Sequence, residues 1–251
     1  MSFLDRIFRR RRAASEPPKT RLAELSARFP YPLNAVHGGD AEQELLRLRR
    51  LLGPTGFCPL IVGSYEDASR LAGSWSDPAE TGNPATPPGK EIHVEEWFAK
   101  QRATYEKYDP DDEGQMVVHA SGTAPTHTLA AGHDFNNKPH DEVFIAILPT
   151  ADGTTAARFM RFGDWNACPA SDVHVALARY WRERFGAEMA VLSCDIVEFT
   201  VERPPATDEQ AMELAWQHYF YCSDIVEQGV GSVATLAKAV RHSTRWYFWW
   251  D

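Results

Sequence analysis

Cysteine is scarce in this sequence and is never paired in a short motif. The 251 residues include four cysteines, Cys58, Cys168, Cys194 and Cys222. They lie far apart and form no CxxC pair, so their spacing favours neither the disulfide framework of a small secreted domain nor a zinc ribbon. The simplest interpretation is reduced thiols in a cytoplasmic protein.

Long apolar runs and common catalytic signatures are missing as well. No run approaches the roughly 20 apolar residues that a membrane-spanning helix needs. Arg9 to Arg12 interrupt the N-terminus before the apolar core of a secretory signal develops. The sequence contains no GxSxG, HExxH or Walker motif, so common hydrolases and phosphate-binding loops lack support. We predict no cofactor and no metal.

The charge is acidic and unevenly distributed. The formal net charge is -9, yet residues 1–12 hold five arginines and one acid, which leaves 21 basic against 34 acidic side chains. An acidic body repels phosphate backbones, so we predict no nucleic-acid partner. It would suit a basic protein partner, although most of this charge serves solubility.

The first twelve residues join an apolar helical face to a basic cluster. The residues concerned are Phe3, Leu4, Ile7, Phe8, Arg9, Arg10, Arg11 and Arg12. This pattern predicts a short interfacial helix that contacts an anionic membrane weakly or docks on a partner. The alternative is a frayed tail, because Asp5 lies inside the segment and eight residues form a marginal helix in water. A linker follows, up to Lys19.

The rest of the chain predicts one α+β domain over residues 20–251, with a mixed β-sheet flanked by helices. Helices are expected near residues 22–29, 41–52, 64–71, 92–108, 171–185, 207–222 and 232–240. Strands are expected near residues 60–62, 116–118, 143–148, 158–162, 189–192, 196–202 and 246–250. A two-lobed arrangement, split in the polar loop of residues 73–89, is the alternative.

Side chains at the predicted helix ends match capping signals. The expected N-caps are Asp40 with Gln43, Ser64, Ser171 or Asp172, and Thr207 with Gln210. Gly186 is the expected C-terminal cap of the helix that precedes it.

The chain closes with five consecutive aromatic residues, Trp246 to Trp250. Water disfavours so much apolar area, so we predict a strand buried in the sheet, against Trp181 and Tyr219, with Trp249 in the core. Residues 196–202 alternate, which predicts Val197, Phe199 and Val201 inward and Glu198, Thr200 and Glu202 outward. The outward glutamates could meet a basic partner or simply be solvated.

Several unusual strings in the second half of the chain point to a known family. They are Gly163-Asp164-Trp165-Asn166-Ala167-Cys168-Pro169, Tyr180-Trp181, Arg184-Phe185-Gly186-Ala187-Glu188, Arg203-Pro204-Pro205, Tyr221-Cys222-Ser223-Asp224, Gln228-Gly229-Val230-Gly231 and Trp249-Trp250-Asp251. This order resembles the bacterial domain of unknown function 4253 family, with a family-like core at 159–251 and weaker echoes at 60–63 and 147–150. The family pattern usually has proline where this sequence has Ser223. The resemblance implies a bacterial, intracellular protein and supplies no catalytic residue.

Three motif-like segments have ordinary explanations. Residues 229–234 match GxGxxA, but acids stand where the preceding strand should run and no second strand follows the helix. Residues 109–114 resemble half of a calcium loop, yet Ala120 occupies the position of the bidentate glutamate. His119, His127, His133 and His140 match no zinc spacing, so we expect solvated loop histidines.

A second set of chemistry-bearing residues includes Cys168, His174, Cys194, His218 and Cys222. His218 and Cys222 lie one helical turn apart, a spacing that suits two metal ligands or a thiol with a nearby base. With Asp224 they are the candidate catalytic residues, and Asp195 could complete the site. Core packing is the alternative, because buried cysteine on an apolar helix stripe is common.

Candidate binding residues are Trp165, Asn166, Asp195 and Asp251. An aromatic residue in a loop often marks recognition, although it can equally be a packed corner. We expect Asp251 to emerge beside the loops of Cys168 and Cys222.

The sequence thus favours a non-enzymatic protein-binding or regulatory module, similar to an immunity protein or antidote, whose acidic surface engages a basic protein. The alternative is a cytosolic enzyme with a Cys/His/Asp site, with or without a metal.

Overall fold

The computed structural model describes residues 19–75, 89–108, 116 and 123–251. The predicted docking segment Phe3 to Arg12, the acidic turn at 109–114, His119 and Val117 to Val118 lie outside the described residues. The fold is α+β with a six-stranded mixed sheet that includes the C-terminal strand, as predicted. Among the described helices, none has the length and apolar character needed to cross a membrane.

The chain divides into two compact units. Unit 1 comprises Met1–Pro84 and Ala131–Ala151, and unit 2 comprises Ala85–Ala130 and Asp152–Asp251. The predicted single domain over 20–251 stays a prediction.

Within the described residues, unit 1 holds three α-helices and three strands. In chain order they are α1 (Lys19–Arg28), β1 (Leu33–Val36), α2 (Ala41–Leu52), β2 (Cys58–Gly63), α3 (Tyr65–Ala72) and β3 (Val143–Leu148). The strands are antiparallel, with β3 between the other two, so that Ala146 pairs with Leu33 on one side and Leu60 on the other. All six residues of β3 are buried, as expected of a continuous apolar strand.

Two helix starts in unit 1 differ in their caps. Ser64 accepts a hydrogen bond from the Asp67 backbone N–H while Asp67 accepts one from the Ser64 backbone N–H, which is a complete capping box. The prediction for Asp40 is wrong in its mechanism, because its side chain makes no capping hydrogen bond at the start of α2. Asp40 is instead the last residue of a short 3₁₀ turn, Gly38–Asp40, which leads directly into the helix.

Unit 2 contains the longer helices. In chain order its elements are α4 (Val94–Tyr108), α5 (Ala156–Phe159), α6 (Ser171–Phe185), β4 (Ala187–Leu192), β5 (Ile196–Val201), α7 (Asp208–Tyr221), a π-helix (Ile225–Val230), α8 (Val233–Val240) and β6 (Arg245–Trp249). The three strands form an antiparallel meander, in which Phe199 of β5 pairs with Met189 and with Trp246. Helix α6 packs on β4, and α8 packs on α7.

The aromatic strand β6 buries alternate residues, as a pleated strand with one covered face must. Trp246 and Phe248, and Trp250 just beyond the strand, are buried, whereas Tyr247 is 42% exposed. Phe248 stacks on Trp181 with ring centroids 5.7 Å apart, which confirms the predicted contact with that helix residue. Trp249 is only half-buried, so its predicted place in the core is wrong: it lies on the opposite face from Trp246 and Phe248.

Three further expectations need correction. Residues 158–162 form no strand, because α5 covers Ala156–Phe159 and a turn follows. Helix α6 begins after Ala170 without a side-chain cap, since the Ser171 hydroxyl donates to the Phe162 carbonyl instead. Glu198, expected to face water, is 1% exposed and accepts a hydrogen bond of 2.7 Å from the Ala130 backbone N–H.

Candidate functional site

The end of unit 2 that carries the C-terminus brings the predicted binding residues together. The Asn166 side-chain amide donates to the Asp251 carbonyl oxygen at 2.7 Å. The Asp251 backbone N–H donates to the Asp224 carboxylate at 3.0 Å, and the Trp250 N–H donates to the Asp195 carbonyl at 3.1 Å. We call this surface the C-terminal edge and define it as residues 163–169, Asp195, Asp224 and Asp251.

The first segment of the C-terminal edge is a tight loop with an unusual backbone. Gly163, Asp164 and Asn166 have φ angles of 105°, 72° and 43°. Gly163 is required here, because a Cβ atom at its position would overlap the Pro169 carbonyl oxygen. Asp and Asn tolerate left-handed backbone better than other residues with side chains, which explains why they occupy the other two positions.

Backbone hydrogen bonds close the loop of residues 163–169, and polar side chains at its tip are exposed. The Cys168 N–H donates to the Trp165 carbonyl at 2.8 Å, and the Asp164 N–H donates to the Cys168 carbonyl at 3.2 Å. Trp165 is half-buried and packs edge-on against Phe162 at 4.8 Å. Asp164 and Asn166 are exposed. Trp165 therefore helps to fix the loop, and the two polar side chains are the groups that it presents.

Trp250 joins the edge to the interior of unit 2. Its ring lies 5.1 Å from Tyr221, 5.5 Å from His174 and 5.9 Å from Phe162, all edge-on. Each of these three residues belongs to a different segment of the unit, so one buried indole sets the positions of loop, helix α6 and helix α7. The exposed Asp251 that follows is placed by this anchor.

Directly below the edge, Cys168, His174 and Tyr221 form a buried chain of contacts. The Cys168 sulfur lies 3.5 Å from His174 Nε2, and His174 Nδ1 lies 2.6 Å from the Tyr221 hydroxyl. The Pro169 carbonyl also accepts a hydrogen bond from this imidazole. His174 thus ties the loop of residues 163–169 to α7.

Burial sets the protonation of this chain. It lowers the pKa of His174 from 6.5 to about 3, despite the opposing effect of the Pro169 carbonyl. Burial also raises the pKa of Cys168 far above its ordinary range, and the neighbouring Cys222 thiol raises it further. The pKa of Tyr221 is raised by the same burial. At neutral pH the chain holds a thiol, a neutral imidazole and a phenol.

The candidate catalytic residues His218, Cys222 and Asp224 are each engaged in packing or in hydrogen bonds. His218 is 1% exposed, packs 4.7 Å from the rings of Trp246 and Phe248, and has its pKa lowered to about 3 by burial. The Cys222 thiol donates to the Trp249 carbonyl at 2.9 Å, and burial raises its pKa to about 12. Asp224 is committed to the Asp251 backbone and to the Gln228 amide. These contacts favour the packing interpretation for His218 and Cys222.

The remaining thiol and the loop histidines lie elsewhere. Cys194 is half-buried and donates to Asp195 at 3.3 Å, which places it beside the C-terminal edge. His127 Nδ1 lies 2.9 Å from the Thr244 hydroxyl in unit 2, while His133 and His140 belong to unit 1. Within the described ranges, no three His, Cys, Asp or Glu side chains are arranged to hold a metal ion.

One contributor to the site was missed from sequence. Tyr221 orients His174, but 47 residues separate them, and a tyrosine on an apolar helix stripe signals only core.

Comparison with known proteins bears on the second half of the chain. No curated protein and no solved structure matches the chain. Residues 144–251, which run from β3 through the C-terminal edge, match the family model described as Domain of unknown function (DUF4253), and the predicted resemblance is confirmed over that segment.

Proposed function

We propose that the protein is a non-enzymatic protein-binding or regulatory module, of the immunity or antidote kind, that presents its C-terminal edge to a basic protein. The observation that carries this proposal is the Asn166–Asp251–Asp224 hydrogen-bond chain, which fixes three separate segments at one surface. A surface ordered before binding loses little conformational entropy when a partner arrives.

The charge of the C-terminal edge supports a basic partner. Asp164 and Asp251 are exposed, and Asp195 and Asp224 are half-buried beside them. Complementary charge speeds association with a basic partner and selects against acidic competitors. This electrostatic attraction weakens as salt is added. The overall charge of -9 acts in the same direction at longer range.

The test compares capture of partners by matched charge variants. Asp164→Asn removes one carboxylate and keeps a residue that tolerates the left-handed backbone, and Asp251→Asn removes a second. The control is Glu66→Gln, which removes an exposed carboxylate of α3 in unit 1. We expect the wild type and the control to retain the same stoichiometric basic protein from the native host, and the edge variants to lose it. Equal retention by all four proteins, or repeated recovery of no partner, contradicts the proposal.

The second candidate function is a thiol enzyme, which the order Cys168–His174–Tyr221 favours because a nucleophile, a base and an orienting group follow one another. Burial acts against it, since reactive cysteines are partly exposed and have lowered pKa values, whereas the pKa of Cys168 is raised. Alkylation of the native protein with iodoacetamide distinguishes the thiol enzyme from the binding module. Rapid, selective labelling of Cys168 would support the enzyme, and protection of Cys168 argues for the binding module.

For the N-terminal segment we propose weak contact with anionic membranes, on the basis of its apolar face and four consecutive arginines. The four free thiols suit a cytoplasmic setting. Flotation with phosphatidylserine-containing liposomes, with and without residues 1–12, tests the contact. Equal flotation of the two proteins removes this role.

A further inference from the structure

One aromatic side chain of unit 1 lies almost completely in water. Phe135 is 98% exposed, whereas the other exposed large apolar side chains of the described ranges, Leu46, Leu51 and Tyr247, are between 38% and 46% exposed. The ring of Phe135 therefore contributes nothing to the core of its unit. A single exposed apolar residue is common on protein surfaces, so the case for a function depends on the loop that carries it.

Two glycines fix the base of this loop, which we call the Phe135 loop and define as residues 132–140. The His140 N–H donates to the Gly132 carbonyl at 3.0 Å, and the Gly38 N–H donates to the His140 carbonyl at 2.9 Å. A Cβ atom on Gly38 would overlap the Gly132 carbonyl oxygen, and one on Gly132 would overlap that of Gly38. The two backbone segments thus approach as closely as only glycine allows, and they hold the ends of the loop together.

Hydrogen bonds also order the tip of the Phe135 loop. Asp134 Oδ1 accepts from the backbone N–H groups of Asn136 and Lys138, both at 2.9 Å. The Asp134 N–H donates to the Lys138 carbonyl, and the Asn137 N–H donates to the Asp134 carbonyl, again at 2.9 Å. Asn137 has a φ angle of 60°, a left-handed conformation that asparagine tolerates. Phe135 is therefore presented by a backbone that is ordered before binding, which reduces the entropy lost when a partner arrives.

The polar side chains of the loop indicate the chemistry of that partner. The exposed side chains that follow Phe135 are Asn136, Asn137 and Lys138, so two amides and one ammonium group accompany the ring. The carboxylate of Asp134 is half-buried and accepts from the loop backbone. An apolar pocket with a carboxylate at its rim complements this arrangement.

A bilayer suits the Phe135 loop less well than a protein pocket does. Entry of the tip into hydrocarbon would remove water from the amides of Asn136 and Asn137, which is costly for any amide left without a hydrogen bond. One buried phenyl ring offsets little of that cost. An ordered backbone gives no advantage in a fluid membrane, whereas it allows a pocket to select the ring by its shape. The net charge of -9 also opposes approach to an anionic membrane.

We propose that the Phe135 loop is a further interaction surface, which inserts the Phe135 ring into an apolar pocket of a partner protein and places Lys138 beside an acidic group at the rim of that pocket. The ring is the anchor, and the hydrogen-bonded loop is its rigid support. This surface belongs to unit 1 and does not depend on the proposed function of the C-terminal edge.

The first test introduces the photo-reactive residue p-benzoylphenylalanine at position 135 of the full chain in the native host. The matched control carries the same residue at position 51, where an exposed leucine of α2 lies in the same unit. We expect irradiation to give a protein adduct from position 135 that position 51 does not give, with the cross-link inside an apolar pocket of the captured protein. An adduct with lipid, an adduct with a second copy of this chain, or no adduct overturns the proposal.

The second test measures the affinity of the purified, cross-linked partner for variants of the full chain by calorimetry. Phe135→Ala should weaken binding by about 30-fold or more, as expected of an anchor residue, and Leu51→Ala should leave it unchanged. Lys138→Glu should weaken binding by about tenfold, with a smaller loss at high salt. Because Phe135 and Lys138 are exposed, thermal denaturation of these variants should match that of the wild type. Unchanged affinity of Phe135→Ala overturns the proposal.

A third variant tests the role of the ordered backbone. Asp134→Ala keeps the Phe135 ring and removes the acceptor that orders the tip, so we expect binding to weaken by about tenfold. Affinity equal to that of the wild type would show that the partner does not need an ordered loop, which contradicts recognition by a fitted pocket.

Discussion

The cores of the two units are built from different kinds of large side chain. Among the largest fully buried side chains, those of unit 1 are one aromatic ring, Phe144, and four leucines, Leu25, Leu45, Leu48 and Leu52. Those of unit 2 are all aromatic: Trp181, Trp246, Trp250, Tyr221, Phe162, Phe199 and Phe248. Aromatic rings pack edge to face, and the imidazoles of His174 and His218 join this packing in unit 2.

This difference extends to the ionisable groups that each unit buries. Unit 2 buries His174 and His218, and burial lowers both pKa values. Unit 1 buries Glu142, and burial raises its pKa. A base with a lowered pKa weakens the fold in acid, whereas an acid with a raised pKa weakens it as the pH increases. The two units should therefore respond to pH in opposite directions.

The largest expected effect is the loss of a buried ring from β6. Trp246→Ala should lower the free energy of unfolding by about 3 to 5 kcal/mol, because it leaves a cavity beside His218 and Trp181. The adjacent Tyr247→Ala, on the exposed face, should cost about 1 kcal/mol or less. Urea denaturation of both variants measures the contrast. Equal losses would show that the two faces of β6 are equally buried.

Acid should destabilise unit 2 through its histidines. The folded state keeps both imidazoles neutral down to about pH 3, while the unfolded chain binds protons below about pH 6.5. Stability is therefore complete above pH 6.5 and falls, at about 1.4 kcal/mol per pH unit for each histidine, as the pH decreases. His218→Phe should remove about half of this dependence in denaturation curves taken at several pH values. The exposed His127→Phe is the control, and a similar effect of both variants would contradict the assignment.

How far the sequence anticipates the fold depends on whether the signal is local. Ser64 and Gly186 cap their helices as expected, because a cap is decided within four residues. The inward positions Val197, Phe199 and Val201 were also predicted from alternation alone. The same alternation in β6 places Trp249 on the half-buried face, opposite Phe248.

The interactions that sequence could not supply are long-range. Asn166 and Asp251, 85 residues apart, were each proposed for binding, and Asp251 was expected beside the loop of Cys168, but their direct hydrogen bond depends on how Trp250 packs. Glu198 is buried and accepts a hydrogen bond from the Ala130 N–H, and no local pattern in either stretch indicates that contact. The charge of Glu198 does not predict its burial, because a backbone N–H satisfies the carboxylate.

In unit 1, replacement of the buried Glu142 carboxyl group by an uncharged amide should increase the stability of the fold at neutral pH. Glu142→Gln should leave stability unchanged below about pH 4.5, where the wild-type carboxyl is protonated in both states. As the pH rises, the wild type alone loses stability, because its folded state resists ionisation. At neutral pH the variant should be more stable by about 1 kcal/mol, the size of a buried unsatisfied polar group. Denaturation curves at pH 4 and pH 7 test this, and a variant less stable than the wild type at pH 7 would show that Glu142 is paired.

The smallest expected effects compare one helix cap from each unit. Ser64 and Thr207 both accept from a backbone N–H at 3.3 Å, but Ser64 is 7% exposed and belongs to a reciprocal capping box, whereas Thr207 is exposed. Water can replace the Thr207 hydroxyl at the start of α7, and it has little access to the start of α3. Ser64→Ala should therefore cost about 2 kcal/mol and Thr207→Ala about 0.5 kcal/mol, the two ends of the range for N-caps. Thermal denaturation of the two variants side by side measures the difference, and the reverse order would mean that burial does not set the strength of these caps.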